Sequence, residues 1–214
     1  MTLQISRRGV LRGATVVAAG AGLGPQLLAA PGYAAAPEPG PAAPARAGAP
    51  SKNGWPTEHS ADSRGHVYTR PVPGTPVQVQ VRIGEVETVL VHVVRRFHYE
   101  IDALRAGDVV GWRPPGSVRR ELAESNLASG TAVRIRPGSY PAGARGGFYP
   151  LELLTIRAVL AECDGVVRWG GDDRVPDESL FHLDVAPDSP RLARLVEQLR
   201  AREAAPGQGA GVLV

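Results

Sequence analysis

An α+β domain is predicted by two kinds of apolar spacing in the amino-acid sequence and by the way they are interleaved. Apolar residues recur at every second position over 77–83 and 131–135, as in half-buried strands. They recur at every third or fourth position from Val86 to Leu104, from Leu153 to Cys163 and from Leu192 to Leu199, as on the inner face of helices. All of these segments fall within the roughly 130 residues after Pro76, enough for one compact domain.

The chain ahead of that domain has a different character. Ser6-Arg7-Arg8-Gly9-Val10-Leu11 precedes a weakly apolar, Gly/Ala-rich run too short and too small-sided for a good membrane span, so residues 1–34 read as an export signal. The paired arginines point to the twin-arginine route, with an ordinary secretory signal as the alternative. Gly32-Tyr33-Ala34 offers a small-x-small cleavage pattern. Cleavage would remove Arg7, Arg8 and Arg12, three of the 24 basic residues, and none of the 21 acidic ones, leaving the two signs balanced. A neutral mature chain has no electrostatic footprint for nucleic acid, and no stable membrane span is expected after cleavage. Residues 35–75 open on an Ala/Pro-rich run and read as a semi-stiff linker, with His59 and His66 in solvated loops. Residues 76–204 form the domain, and 205–214 are a Gly-rich flexible tail.

Within the domain, Val77, Val79, Val81 and Ile83 face one side of a first strand, and Gln78, Gln80 and Arg82 the other. Val86, Leu90, Val93, Phe97, Ile101 and Leu104 then line a long helix, on which His92 and His98 do not share a face. Gly107-Asp108 turns the chain into a short strand over 109–112. Thr131, Val133 and Ile135 oppose Ala132, Arg134 and Arg136 on the next strand, which puts Arg134 in a cleft or in solvent. Pro150 suits the first turn of a helix that buries Leu153, Ile156, Leu160 and Cys163. Segments 166–169 and 180–185 are further strands separated by an acidic loop. Ser189-Pro190 caps a last helix that carries Leu192, Leu195, Val196 and Leu199. Cys163 is the single cysteine, so no internal disulfide forms, and it reads as a small buried hydrophobe.

Two short patterns carry the functional expectation. Ser125-x-Leu127-x-x-Gly130-x-Ala132-x-Arg134 and Asp177-x-x-Leu180-Phe181 resemble the motifs Ser-x-His-x-x-Gly-x-Ala-x-Asp and Asp-x-x-His-Phe of the zinc D-alanyl-D-alanine carboxypeptidases of bacterial cell walls, the VanY-like group of the hedgehog/DD-peptidase fold. The resemblance runs from about Val86 through Gly111-Trp112-Arg113 to Val185 and takes in Val167-Arg168-Trp169-Gly170-Gly171-Asp172. It implies a small antiparallel sheet with flanking helices. It also implies that positions 127, 134 and 180 are former zinc-ligand positions, that Asp177 stands where the general base stood, and that Arg113 is the arginine that holds a substrate carboxylate.

Catalytic zinc needs three protein lone-pair donors and a water whose pKa it lowers. Leu127 and Leu180 offer no lone pair. Arg134 is worse, since a unit positive charge ~4 Å from a dication repels it by roughly 8 kcal/mol at an effective dielectric near 20. The chain is therefore expected to hold no metal and no cofactor, and to be a degenerate, non-catalytic member.

Arg113, Arg134, Asp177 and His182 are its candidate binding residues, for a cell-wall stem peptide or a wall-associated protein. Asp177 either pairs with an arginine such as Arg134 or caps a turn. One alternative is a hydrolase with a rescued ligand set of His182, Asp177 and Asp184. Another is a structural exported protein whose cleft is closed by Leu127 packing on Leu180.

Overall fold

A computed structural model describes residues 49–205 and Gly207. The expected export signal, residues 35–48 of the expected linker and the tail from 208 lie outside the described residues. The fold is α+β, with two antiparallel sheets and three α-helices among the described residues.

Strands β1 (Val67–Pro71) and β2 (Gln78–Arg82) form a two-stranded sheet. Helix α1 (Glu85–Glu100) follows, then β3 (Val109–Val110), β4 (Ala132–Ile135), α2 (Pro150–Glu162), β5 (Val167–Trp169), β6 (Leu180–Leu183) and α3 (Pro190–Ala204). The second sheet has the order β3-β4-β6-β5, antiparallel throughout. A 3₁₀ turn at Ala123–Leu127 leads towards β4, and another at Gly170–Asp172 follows β5.

Register sorts the four-stranded sheet into two faces. Ala132 stands opposite His182 and Arg134 opposite Leu180, while Val133 pairs with Phe181 and Trp169 with Phe181 on its other side. Because side chains alternate along a strand, Val133, Ile135, Val167, Trp169, Phe181 and Leu183 share one face and belong to the main core. Helix α1 lies on that face through Val86, Val89, Leu90, Val93, Val94 and Phe97. Aromatic edges knit the layer together: Phe97 meets Phe148 at 6.1 Å and Phe181 at 6.4 Å, and Phe148 meets Trp169 at 5.9 Å, edge-on in each case. Helix α3 buries Leu192, Leu195, Val196 and Leu199 beside α1, as its spacing predicts.

The structure corrects several expectations. The linker does not extend to residue 75. Trp55 is buried and its indole N–H donates to Val185 O at 2.8 Å. Ser51 donates to Ser129 Oγ at 2.9 Å, and the Asn53 amide reaches both Thr131 Oγ1 and Leu183 O at 2.9 Å. Segment 49–58 is thus strapped across the ends of β4 and β6, and Val67–Pro71 is a strand. The strap is held by one aromatic ring and by hydrogen bonds, which leave no apolar period in the sequence. Ile83 lies past the end of β2 and is 43% exposed. The Ser189 hydroxyl makes no capping bond, and Pro190 alone starts α3. Cys163 is buried as expected, and burial pushes its thiol up to about 12.

Trp55→Ala should cost about 3–5 kcal/mol in chemical denaturation, the scale of a buried aromatic truncation. A loss near zero would return residues 49–58 to the linker. Cys163 should resist alkylation in the native protein and react once the protein is unfolded, as followed by intact-mass spectrometry.

Candidate functional site

The opposite face of the four-stranded sheet carries Arg134 and Leu180, two of the three positions where the sequence resemblance expects zinc ligands. The 3₁₀ turn Ala123–Leu127 drops Leu127 onto it, fully buried, and Leu127 packs with Leu180, Ala123 and Ala132 in a small apolar cluster separate from the main core. Arg134 stands across from Leu180 on β4. Residues 127, 134 and 180 are therefore brought together by the fold, with Asp177 in the loop just before β6.

Gly130 lets the chain enter β4 in close contact with the β1–β2 sheet. Its φ of 70° is the left-handed region, and a Cβ there would lie 2.6 Å from a Val67 methyl and 2.8 Å from Arg82 N. Gly170 plays a matching part, since a Cβ on it would sit 2.6 Å from Asp177 O. The Asp177 amide donates to Gly170 O at 3.0 Å. The Trp169 indole N–H donates to Glu178 O at 2.7 Å, so the loop that carries Asp177 is pinned from beneath.

Arg134 is enclosed by carboxylates. Its Nε donates to Asp177 Oδ2 at 2.9 Å and its Nη2 to Glu124 Oε2 at 2.6 Å. Glu124 Oε1 also accepts from the Arg119 amide at 2.9 Å and from Arg119 Nε at 2.6 Å, while the Ser179 hydroxyl donates to Asp177 Oδ1 at 2.6 Å. Burial pushes the Glu124 carboxyl up, but the hydrogen bonds from Arg119 and then Arg134 outweigh it and hold the group at about 2. The Asp177–Arg134 pair is the pairing anticipated from the sequence. Glu124 was not anticipated; it is shared between Arg134 and Arg119, and it comes within reach only when the 3₁₀ turn folds back on β4.

Arg134 and Arg113 do not form the expected carboxylate clamp. The Arg134 guanidinium is committed to Glu124 and Asp177. Arg113 is exposed and lines a different groove, beside Gln80 and Val110, joined to the cluster only by a long 3.4 Å bond from its amide to Leu127 O. The rescued metal set is not assembled either: Asp177 lines one cavity, His182 and Asp184 another. Among the described residues, no three His, Cys, Asp or Glu side chains form a group suited to a metal ion. The side chains at 127, 134 and 180 offer zinc no lone pair and do not fit the metal that the resemblance implies.

A groove of about 260 Å³ remains open above Leu180 and Asp177, with Lys52, Arg119, Glu121 and Arg174 at its rim. It adjoins a smaller cavity of about 130 Å³ through Lys52 and Asp173, and His182 lies in the wall of that cavity.

Glu124→Gln should cost about 1.5–3 kcal/mol, the scale of a hydrogen bond to a charged group. The folded-state value of Glu124 lies below its ordinary 4.5, so its contribution is complete above about pH 4.5 and is lost as the pH falls through about 2. Acid titration of stability should therefore be flatter in the variant over that window, and an unchanged slope would mean that the bonds around Glu124 are not made in solution.

Compared with known proteins, the chain is matched by no family model, no curated protein and no solved structure.

Proposed function

We propose that the chain is an exported, carboxypeptidase-like domain that does no hydrolysis and binds a cell-wall peptide or a wall-associated protein along the groove above Asp177 and Leu180. One observation carries this reading. The three positions where the resemblance places metal ligands converge, and they are filled by Leu127 and Leu180 in contact and by an arginine that, with Arg119, balances two carboxylates. Without a metal-bound water, Asp177 has nothing to deprotonate, and its carboxylate is occupied by Arg134 and Ser179.

The groove over this plug is supportive because it stays open and charged. Lys52 and Arg174 are exposed at its rim, and neither forms an ion pair among the described residues. They, rather than Arg113 and Arg134, are the cations that a peptide carboxylate would meet. Among the described residues no helix is long and apolar enough to cross a membrane.

A second reading is favoured by the apolar plug itself. The buried contact among Leu127, Leu180, Ala123 and Ala132 closes the space beneath the groove, as in a structural protein that keeps the scaffold and binds nothing there.

Two measurements separate these readings. Elemental analysis after dialysis against trace zinc should find no stoichiometric metal, and one zinc per chain would restore the hydrolase. Binding to purified wall fragments should weaken about two- to fivefold in Lys52→Ala and in Arg174→Ala, the range of a partly exposed charge contact. Arg194→Ala, on α3, should leave it unchanged. No binding by the wild type, or equal behaviour of all three variants, would favour the structural reading.

A further inference from the structure

Among the described residues, six large apolar side chains are exposed, and three of them fall at the start of α2: Tyr149 at 76%, Leu151 at 77% and Leu154 at 65%. The helix has two apolar sides. Ile156, Val159 and Cys163, with Leu153 and Leu160 partly buried, face the main core. Leu151, Leu154, Ala158 and Ala161 are all exposed. At 3.6 residues per turn they lie within about 80° of one another, a stripe along the side of the helix away from the core. No charged side chain interrupts it. Arg157 borders it with both Nη groups bonded to the Asp172 carboxylate, Nη2 at 2.6 Å, so the border is a neutral pair with no bare cation to offer an anionic surface.

The order of sizes along the stripe identifies what covers it. Two leucines are followed by two alanines, placed symmetrically about residue 156: positions 151 and 161 lie five residues to either side of it, and 154 and 158 two residues to either side. Turned end for end by a two-fold axis at that residue, the stripe sets each leucine against an alanine of a second copy, so that every contact occurs twice. Large then meets small at each of them, and the helices approach to the usual packing distance of about 8–10 Å. A parallel pairing would instead put leucine on leucine at one end and alanine on alanine at the other, which splays the helices and leaves a gap. The two-fold axis also brings like flanks together, and there two neutral Arg157–Asp172 pairs meet. A helix of 13 residues is about 20 Å long and about 10 Å across, so the pair covers less than the about 800 Å² per partner of a standard interface. The association is therefore weak and depends on concentration.

We propose that α2 is the contact of a weak homodimer, packed antiparallel on the α2 of a second copy, with Leu151 on the partner's Ala161 and Leu154 on the partner's Ala158. The interface is independent of the groove above Asp177, which none of the four stripe residues lines.

The test is sedimentation equilibrium of the full chain from about 1 µM to about 500 µM, the range of a weak interface. The wild type should be monomeric at the low end and largely dimeric at the high end. Leu154→Glu, at an exposed position, should stay monomeric throughout while its thermal unfolding at low concentration is unchanged. Leu154→Ala and Ala158→Leu should each weaken the dimer by at least about tenfold, the first by opening a gap and the second by a clash with the partner's leucine. The double variant Leu154→Ala/Ala158→Leu exchanges large for small on both copies at once, and its affinity should return to within about threefold of the wild type. Four results would each overturn the proposal: a wild type that is monomeric up to about 500 µM, an association untouched by Leu154→Glu, a double variant no better than the weaker single one, or a monomer that instead floats with phosphatidylcholine–phosphatidylglycerol vesicles.

Discussion

A guanidinium on an inner strand, with a side chain only 20% exposed, has to be matched by charge or the strand cannot stay where it is. Arg134 meets that demand with Glu124 from the 3₁₀ turn and Asp177 from the loop before β6. Remove the cation, and two buried carboxylates would face each other across the same space. The cluster thus ties three chain segments to one point and seats Leu127 on Leu180. It also fixes the floor of the groove: Asp177 and Glu124 are held by donors inside the protein, and Lys52 and Arg174 at the rim stay available.

The residues that agree with the zinc-peptidase motifs and those that differ from them fall into two physical groups. Gly130 allows a positive φ and a backbone approach that no side chain would tolerate, and Ala132 is buried in the cluster with Leu127 and Leu180. Ser125 is buried, donates to Leu122 O at 2.8 Å and accepts the Lys52 amide at 3.0 Å. All three shape the backbone. At positions 127, 134 and 180 the side chains supply packing and an internal ion cluster.

Periodicity made much of the main sheet and all three helices legible. The apolar steps of α1 and α3 and the alternation through Val133 and Ile135 predict the buried sides found. Arg134 on the cleft face and its bond to Asp177 were also legible, because strand alternation and one missing counter-charge lead there. The strap over 49–58 was not, since Ser51 and Asn53 are fixed by hydrogen bonds whose partners are distant in sequence. Nor was the role of Glu124, which emerges only when the 3₁₀ turn folds back on β4. The placement of Arg113 in a separate groove depends on how β3 lies beside β2, and no local pattern encodes it.

The strap has a consequence for how the molecule is made. Trp55 and Asn53 bond to partners 130 residues further along the chain, among the most non-local contacts a domain of this size can hold. Loop-closure entropy is spent before such contacts form, and they are a late, slow element of folding. During synthesis the early segment waits for β6 to emerge before these two bonds can close.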